Sequence, residues 1–259
     1  MLNSKDLYLE ERRQAIVDIV EQTGRVSVSE LSERLGVSEV TIRSDLQALA
    51  ERNLIIRTHG GAIPANGGLP DLALIRRQQR QISEKQRIGQ ACAALIQDGD
   101  AIFIDSSSTA LAILPHLQSR RQLTLVTNSL VVAQEMQMVS GVSVVMPGGT
   151  LHPDTASLIG TEGLAWLDKF NIQKGFFGAH GFSLTAGVTD VSTDEADLKR
   201  ALVARCDQVI AIIDTTKWDK VGLASFASLD DLDTIISDIN APAELVDEVR
   251  TAGVEVILV

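Results

Sequence analysis

The sequence predicts an α+β multidomain chain, with a small N-terminal helical unit closed by a β-wing and then an α/β domain built on a mostly parallel sheet. Three observations carry this. Short helices with capping residues and glycine stops crowd the N-terminal part. From Asp100 onward, short apolar strands alternate with helical patterns. The charge divides at the same place: residues 1–87 hold 13 Lys/Arg and 12 Asp/Glu, residues 88–259 hold 10 and 22, and the whole chain carries -11. At 259 residues there is room for a small domain joined to a medium one. The hydrophobic fraction of 45% with few aromatics points to a core of Ile, Val, Leu and Ala.

The elements follow in order. "LEERRQAIVDIVEQTG" places Leu9, Ile16, Ile19 and Val20 on one side at helical spacing and stops at Gly24. "SVSE" reads as a capping box, Ser27 as N-cap and Glu30 three residues on, and opens a second helix with Leu31 and Leu35 inward. Gly36 breaks that helix and Ser38 caps a third. Two short helices joined by a glycine-containing turn make a helix-turn-helix. On the third helix Ile42, Leu46 and Leu49 face the core, leaving Val40, Thr41, Arg43, Ser44 and Gln47 outward. A helix entering the major groove needs such short or polar residues near its start. Arg43 suits a guanine edge or a phosphate, Thr41 and the helix N-terminus a phosphate. "IIRTHGGAI" reads as two strands around a glycine turn, with Arg57, His59, Gly60 and Gly61 placed to meet a DNA backbone. "PANGGLPD" marks the boundary near residues 64–71. We expect a DNA-binding domain over 1–64, a basic solvated linker over 65–83 (Arg76, Arg77 and Arg80, with Lys85 and Arg87 beyond) and the second domain over 84–259. "SEKQ", Ser83 to Gln86, is expected to cap the helix that begins it.

In the second domain "AIFID", "LTLVTN", "VSVVMPGG", "KGFFGA", "QVIAIID", "TIISD" and "VEVILV" read as strands apolar on both faces, as in a helix-covered parallel sheet. Ligands of such sheets bind at the carboxyl ends of the strands. Those ends carry Asp105 with Ser106, Ser107, Ser108 and Thr109, then Thr127 and Asn128, Gly148 and Gly149, Gly178, and Asp214 with Lys217. Serine-rich strand-to-helix turns suit a phosphate, although each alone also reads as a helix cap. Glu195 and Lys199, at i and i+4 of one helix, read either as a surface ion pair or as groups reaching into the crevice. Cys92 and Cys206 sit in apolar runs without metal-ligand spacing and read as buried free thiols.

"VSEVTIRSDLQALAERNLIIRTHGGA" resembles the N-terminal domain of the DeoR family of transcriptional regulators, whose pattern is S-x-x-T-I-R-R-D-L followed by R-x-x-G-G-A. Ser44 replaces the second arginine. The rest of the chain resembles the family's effector domain, similar in fold to ribose-5-phosphate isomerases and coenzyme A transferases. There D-x-G-T-T becomes Asp105-Ser106-Ser107-Ser108-Thr109, with Ser107 for the glycine, and D-S-S-K becomes Asp214-Thr215-Thr216-Lys217. The resemblance implies a regulator that binds double-stranded operator DNA and senses a phosphorylated sugar or related metabolite, and the paired half-sites usual for helix-turn-helix operators lead us to expect a dimer or tetramer.

The expected function is therefore a ligand-responsive repressor of carbohydrate-metabolism genes, with no catalytic residues, metal or cofactor. The acidic second domain leaves DNA attraction to the small module. The competing readings are a phosphosugar isomerase-like enzyme, with Asp105, Glu195 and Lys199 as acid–base groups, and a pure assembly module. Neither an apolar leader nor an uncharged run of about 18 residues occurs, so a cytoplasmic protein without a membrane span is expected.

Overall fold

The computed structural model of the 259-residue chain describes residues 9–23, 26–51, 54–58, 60–64, 74, 77–152 and 155–259. It comprises two compact units, Met1–Leu72 and Ala73–Val259. The expected stop at Gly24, the boundary segment over 65–71 and the expected contacts of His59 and Arg76 lie outside the described residues.

The first unit contains α1 (Leu9–Thr23), β1 (Val26–Ser27), α2 (Val28–Leu35), α3 (Glu39–Glu51), β2 (Ile55–Thr58) and β3 (Gly61–Pro64). The capping box forms: Ser27 Oγ accepts the Glu30 N–H at 3.2 Å, and the Glu30 carboxylate accepts the Ser27 N–H at 2.8 Å. Gly36 ends α2 at φ 65, a left-handed conformation that suits a residue without Cβ, and its N–H bonds the Ser32 carbonyl. Ile16, Val20, Leu31, Leu35, Ile42, Leu46 and Leu49 fuse the helices into one core. Leu9, expected inward, is 47% exposed, because the buried residues of α1 begin only at Ile16. The wing is larger than the two strands expected: β1 pairs with β3, giving the order β1-β3-β2. Two residues are too few for an alternation to show in the sequence.

The second unit is centred on a seven-stranded sheet in the order β15-β14-β12-β9-β4-β5-β6. Its strands are β4 (Ala101–Ile104), β5 (Leu123–Thr127), β6 (Val142–Val145), β9 (Ile172–Gly178), β12 (Cys206–Ile212), β14 (Thr234–Ser237) and β15 (Glu255–Leu258). Every neighbouring pair is parallel. These are the seven segments read as strands. Alternation explains their two apolar faces. Ile102, Ile104, Phe176, Ile210 and Ile212 pack with Ile88 and Cys92 of α4 (Ile82–Ala94). Phe103, Phe177 and Ala211 pack on the other side with Leu198 and Leu202 of α8 (Thr193–Val203). Further α-helices among the described residues are α5 (Ser108–Leu111), α6 (Leu130–Met136), α7 (Leu164–Leu167) and α9 (Ala243–Thr251). The strand readings omitted the hairpin of β7 (Thr150–His152) with β8 (Ser157–Ile159) and an antiparallel sheet of β10 (Gly181–Ser183), β11 (Gly187–Asp190) and β13 (Ala224–Ala227).

Two expectations at α4 are corrected. The helix begins at Ile82, after Gln81 at φ 52, with no side-chain cap, so Ser83 is already inside it. Nor is the basic stretch a solvated face throughout: Lys85 is buried, and its ammonium donates to the carbonyls of Arg77 and, at 2.8 Å, Arg80. Lys85 thereby ties the turn over 77–80 onto the first turn of α4. Helices of a parallel sheet run against the strands, so this turn lies at the edge where the strands end.

Candidate functional site

In the first unit, α3 presents the surface read as DNA-facing. Val40 is 72% exposed, and Arg43, Ser44 and Gln47 are also exposed, while Thr41 is half-buried. Ser38 Oγ accepts the Thr41 N–H at 3.2 Å and lies 2.9 Å from Thr41 Oγ1, so one amide of the α3 N-terminus is already occupied. Arg43 Nη2 donates to Glu39 Oε2 at 2.6 Å, an exposed i,i+4 pair that costs little to open. Arg57 Nη1 donates to Gln47 Oε1 at 2.6 Å, joining wing and helix in one polar surface. The Gly60 carbonyl accepts the Val28 N–H at 2.9 Å, which anchors the wing turn to α2. Beneath α3 lies a group the sequence reading passed over. Asp45 is buried and receives Arg12 Nε at 2.7 Å and Arg13 Nε at 3.0 Å, clasping α1 to α3.

In the second unit, the strand-end loops meet around a buried cation. Lys199 Nζ lies 2.9 Å from Asp105 Oδ2, 2.8 Å from Asp190 Oδ2 and 2.9 Å from the Gly178 carbonyl oxygen. The ammonium donates hydrogen bonds to Asp190 and to the Gly178 carbonyl, and the Asp105 carboxylate is its second ion-pair partner. Burial works against the charge, but Asp105, then Asp190 and Glu195, outweigh it and hold the Lys199 pKa above its ordinary value. Burial likewise opposes ionisation of Asp190, yet Lys199 draws its pKa down. Of the two readings of Glu195 and Lys199, the surface ion pair is therefore excluded. Both are buried, because α8 turns this face onto the sheet.

The same cluster shapes the serine loop. Asp105 Oδ2 accepts the Gly178 N–H at 2.8 Å and Oδ1 the Ser107 N–H at 3.0 Å. Ser107 caps α5 by accepting the Ala110 N–H at 3.1 Å, and a Cβ at position 178 would collide with Ser107 Oγ. Ser106, Ser108 and Thr109 are buried around this turn. Thr127 spends its hydroxyl on the backbone, donating to the Ile104 carbonyl at 2.7 Å and accepting the Ser129 N–H at 3.1 Å. Asn128 donates through Nδ2 to the Leu158 carbonyl at 3.2 Å, while its buried Oδ1 has no partner among the described residues, an omission costing ~1–3 kcal/mol. Gly148 and Gly149, at φ 81 and 127, follow β6, and Gly149 lies against Ile159 of β8.

At the other end of the crevice the charge is positive. Asp214 Oδ1 accepts the Thr216 N–H at 2.9 Å, and Asp238 Oδ2 accepts the Thr215 N–H at 2.6 Å. Trp218 then anchors the turn, its indole N–H donating to Ser237 Oγ at 2.9 Å and its ring packing edge-on to Phe182 at 5.2 Å. This leaves Lys217 half-buried among Asp214, Lys220, Arg77 and Arg80. Burial is the main cause of its lowered pKa; Asp214 opposes, and the neighbouring cations add to the lowering. Burial, then the Lys217 charge, keeps His180 below the usual imidazole range. Lys85, pulled down to about 8 chiefly by burial, feels the same Asp214 and Lys217. An open groove of about 650 Å³ between α4 and α5 touches Lys85, Ser108 and His116 but not Asp105, Asn128, Glu195 or Lys217.

Asp105, Gly178, Glu195, Lys199, Asp214 and Lys217 stand out in the sequence, but their connections do not. Nor do Asp190, which shares Lys199, and Asp238, which holds the 214–217 turn, because each stands at a strand end without a motif. Cys92 and Cys206 are free; Cys206 is half-buried, and its thiol, raised to about 12 by burial and then Asp207, donates to the Leu202 carbonyl at 3.2 Å. Among the described residues there is no group of three or more His, Cys, Asp or Glu able to hold a metal, and no helix long and apolar enough to cross a membrane.

A winged helix-turn-helix unit joined to an α/β unit with polar strand ends defines a regulator with separate reading and sensing parts, and the comparisons agree. Residues 12–66 match the DeoR-like helix-turn-helix domain and residues 80–239 the DeoR C terminal sensor domain. The HTH-type transcriptional regulator GolR of Listeria innocua is 32% identical over 246 residues, 95% of this chain and 97% of its own length. The glycerol-3-phosphate regulon repressor of Escherichia coli is 30% identical over 235 residues, 91% of this chain and 93% of its own. Ribose 5-phosphate isomerase A of Methanocaldococcus jannaschii aligns over 52% of this chain and 53% of its own with TM-score 0.38 and 15% identity, too weak a likeness to carry an argument. The chain belongs to the DeoR family of transcriptional regulators.

Proposed function

We propose that the protein is a repressor that binds double-stranded operator DNA through α3 and the wing, and that a phosphorylated sugar or related metabolite in the strand-end crevice changes that affinity. The observation that carries the sensing half is the pairing of a cationic end, Lys217 with Arg77, Arg80 and Lys85 nearby, with an acidic and amide end at Glu195 and Asn128. A phosphate suits the first and a carbon chain with hydroxyls the second. Asp105, Ser106, Ser107, Ser108, Thr109, Thr127, Gly148, Gly149, Gly178 and Asp214 shape the crevice between them. Lys199, held by Asp105, Asp190 and the Gly178 carbonyl, positions the Asp105 loop rather than touching ligand.

On the DNA side, Arg43 releases Glu39 to reach a base edge or phosphate. Ser38, Val40, Thr41, Ser44 and Gln47 lie alongside it, and Arg57, with the wing glycines and His59, meets the backbone. Paired half-sites call for at least a dimer. Operator DNA places the protein in the cytoplasm. An isomerase-like activity is the lesser reading, since Lys199 is tied to two carboxylates and a carbonyl. By linkage, ligand lowers operator affinity only as far as its affinities for the free and DNA-bound forms differ.

The test is fluorescence anisotropy of the full chain on DNA upstream of its own gene, at fixed salt, with sugar phosphates and their unphosphorylated parents in parallel. The proposal expects one phosphorylated sugar, and not its parent, to release the DNA. Tight binding that no phosphorylated metabolite shifts would contradict the sensing half; no binding above that to random DNA would contradict the reading half.

A further inference from the structure

The crevice contains a second polar centre whose chemistry is the reverse of a phosphate site. Asn128 stands at the carboxyl end of β5 and is 2% exposed. Its Nδ2 is committed to the Leu158 carbonyl at 3.2 Å, and its Oδ1 has no hydrogen-bond partner among the described residues. Exchanging the amide atoms would set oxygen against the Leu158 carbonyl, so the orphan is the acceptor. On the neighbouring residue of β8, Ser157 Oγ donates to Glu195 Oε1 at 3.4 Å and lies 2.6 Å from Thr155 Oγ1. Thr155 Oγ1 lies in turn 3.3 Å from His152 Nδ1. The Ser157 proton is thus directed to Glu195, and no hydroxyl of this chain bonds Asn128 Oδ1.

Glu195 is buried and one helical turn from Lys199, whose ammonium is ion-paired with Asp105 and Asp190 and donates hydrogen bonds to Asp190 and the Gly178 carbonyl. The carboxylate feels the field of that ammonium, while its hydrogen bond comes from Ser157 Oγ. A buried amide oxygen and a buried carboxylate, both set beside β8, accept and do not donate. A phosphate or carboxylate is repelled here. A carbon chain bearing hydroxyls supplies the donors that are missing.

We propose that Asn128 and Glu195 form a hydroxyl-recognition subsite, which orients the effector with its polyol end at β8 and its phosphate toward Lys217, and which selects phosphorylated polyhydroxy compounds over simple anions. This rests on the sensing reading above and adds the direction in which the ligand lies. It also separates the two ends by experiment, because inorganic phosphate needs only the cationic one.

Isothermal titration calorimetry of the full chain with inorganic phosphate, glycerol 3-phosphate, ribose 5-phosphate, glucose 6-phosphate and fructose 6-phosphate tests it. The wild type is expected to bind at least one organic phosphate tenfold or more tighter than inorganic phosphate. Glu195→Gln, which keeps the side-chain volume, and Asn128→Ser should each bring that compound's Kd to within about threefold of the inorganic phosphate value. Their Kd for inorganic phosphate itself should stay within twofold of wild type, which also reports that the sensor is folded. Variants that keep the full preference would overturn the subsite, as would a preference lost in parallel with inorganic phosphate. A wild type that binds all five alike overturns it while leaving the anion site standing. A wild type that binds none overturns the sensing reading and the subsite with it.

Discussion

Each unit buries one charge between two of opposite sign, and the clusters differ in what happens when the centre is removed. In the first unit the central Asp45 is buried, but its partners Arg12 and Arg13 keep side-chain exposures of 15% and 14%. In the second, Lys199 and Asp105 have side-chain exposures of 5% and 0%, and Asp190 only 10%. Arginines at a rim can swing back into water; carboxylates under a sheet edge cannot. The first cluster is a clasp that can be loosened, whereas the second is a keystone under the strand-end loops.

Lys199→Met separates the two most strongly. It leaves Asp105 and Asp190 buried without their cation, so the second unit should lose ~3–5 kcal/mol in urea unfolding. A loss below ~1 kcal/mol would show that the loops hold without it. Asp45→Asn frees two arginines that rehydrate, and the loss should be smaller, roughly 1.5–3 kcal/mol, and confined to the first unit. Near-equal losses for the two variants would erase the distinction.

Arg43→Ala should cost ~1–3 kcal/mol of operator binding and relax one base position if Arg43 reads a base. Equal loss on operator and random DNA would instead mark it as a phosphate contact. Ser27→Ala removes the capping box of α2 and should cost ~1 kcal/mol of stability with no direct effect on ligand binding. The smallest expected effect is on pH dependence. Lys85 has its pKa lowered to about 8, and burial also lowers that of Lys217. Lowered base pKa values mean that the free sensor loses positive charge as pH rises through about 8, so phosphate-ligand affinity should fall there. It should be level between that point and the phosphate's own second ionisation near ~6. Titration calorimetry from pH 6.5 to about 9.5 on the tightest ligand checks this, and an affinity that rises with pH would contradict it.

The parallel sheet was legible because each strand is apolar on both faces, and Ile102–Phe103–Ile104 feeds two cores at once. The helix-turn-helix was legible for a different reason. Ser27, Glu30 and Gly36 act through backbone bonds a few residues away, which sequence spacing records. What stayed hidden is what depends on distant partners. Ser83 looked like a cap, but Lys85 draws the turn over 77–80 onto the helix start, and α4 begins earlier. Glu195 and Lys199 have the spacing of a surface pair, yet the partners of Lys199 are 94 and 9 residues away, at Asp105 and Asp190. Asn128 was visible as a polar strand end, but its orphan oxygen shows only once β8 is laid beside it.

The central claim is that anion binding in the second unit governs DNA binding by the first. Its most direct test is the ratio of operator Kd with and without a saturating phosphorylated ligand, at fixed salt, in wild type and in Lys217→Ala. We expect the same operator affinity for both proteins without ligand, a large ratio in wild type, and a ratio near one for the variant at the same ligand concentration. A variant that keeps the full ratio, or a wild type whose operator affinity the bound ligand leaves unchanged, would contradict the account.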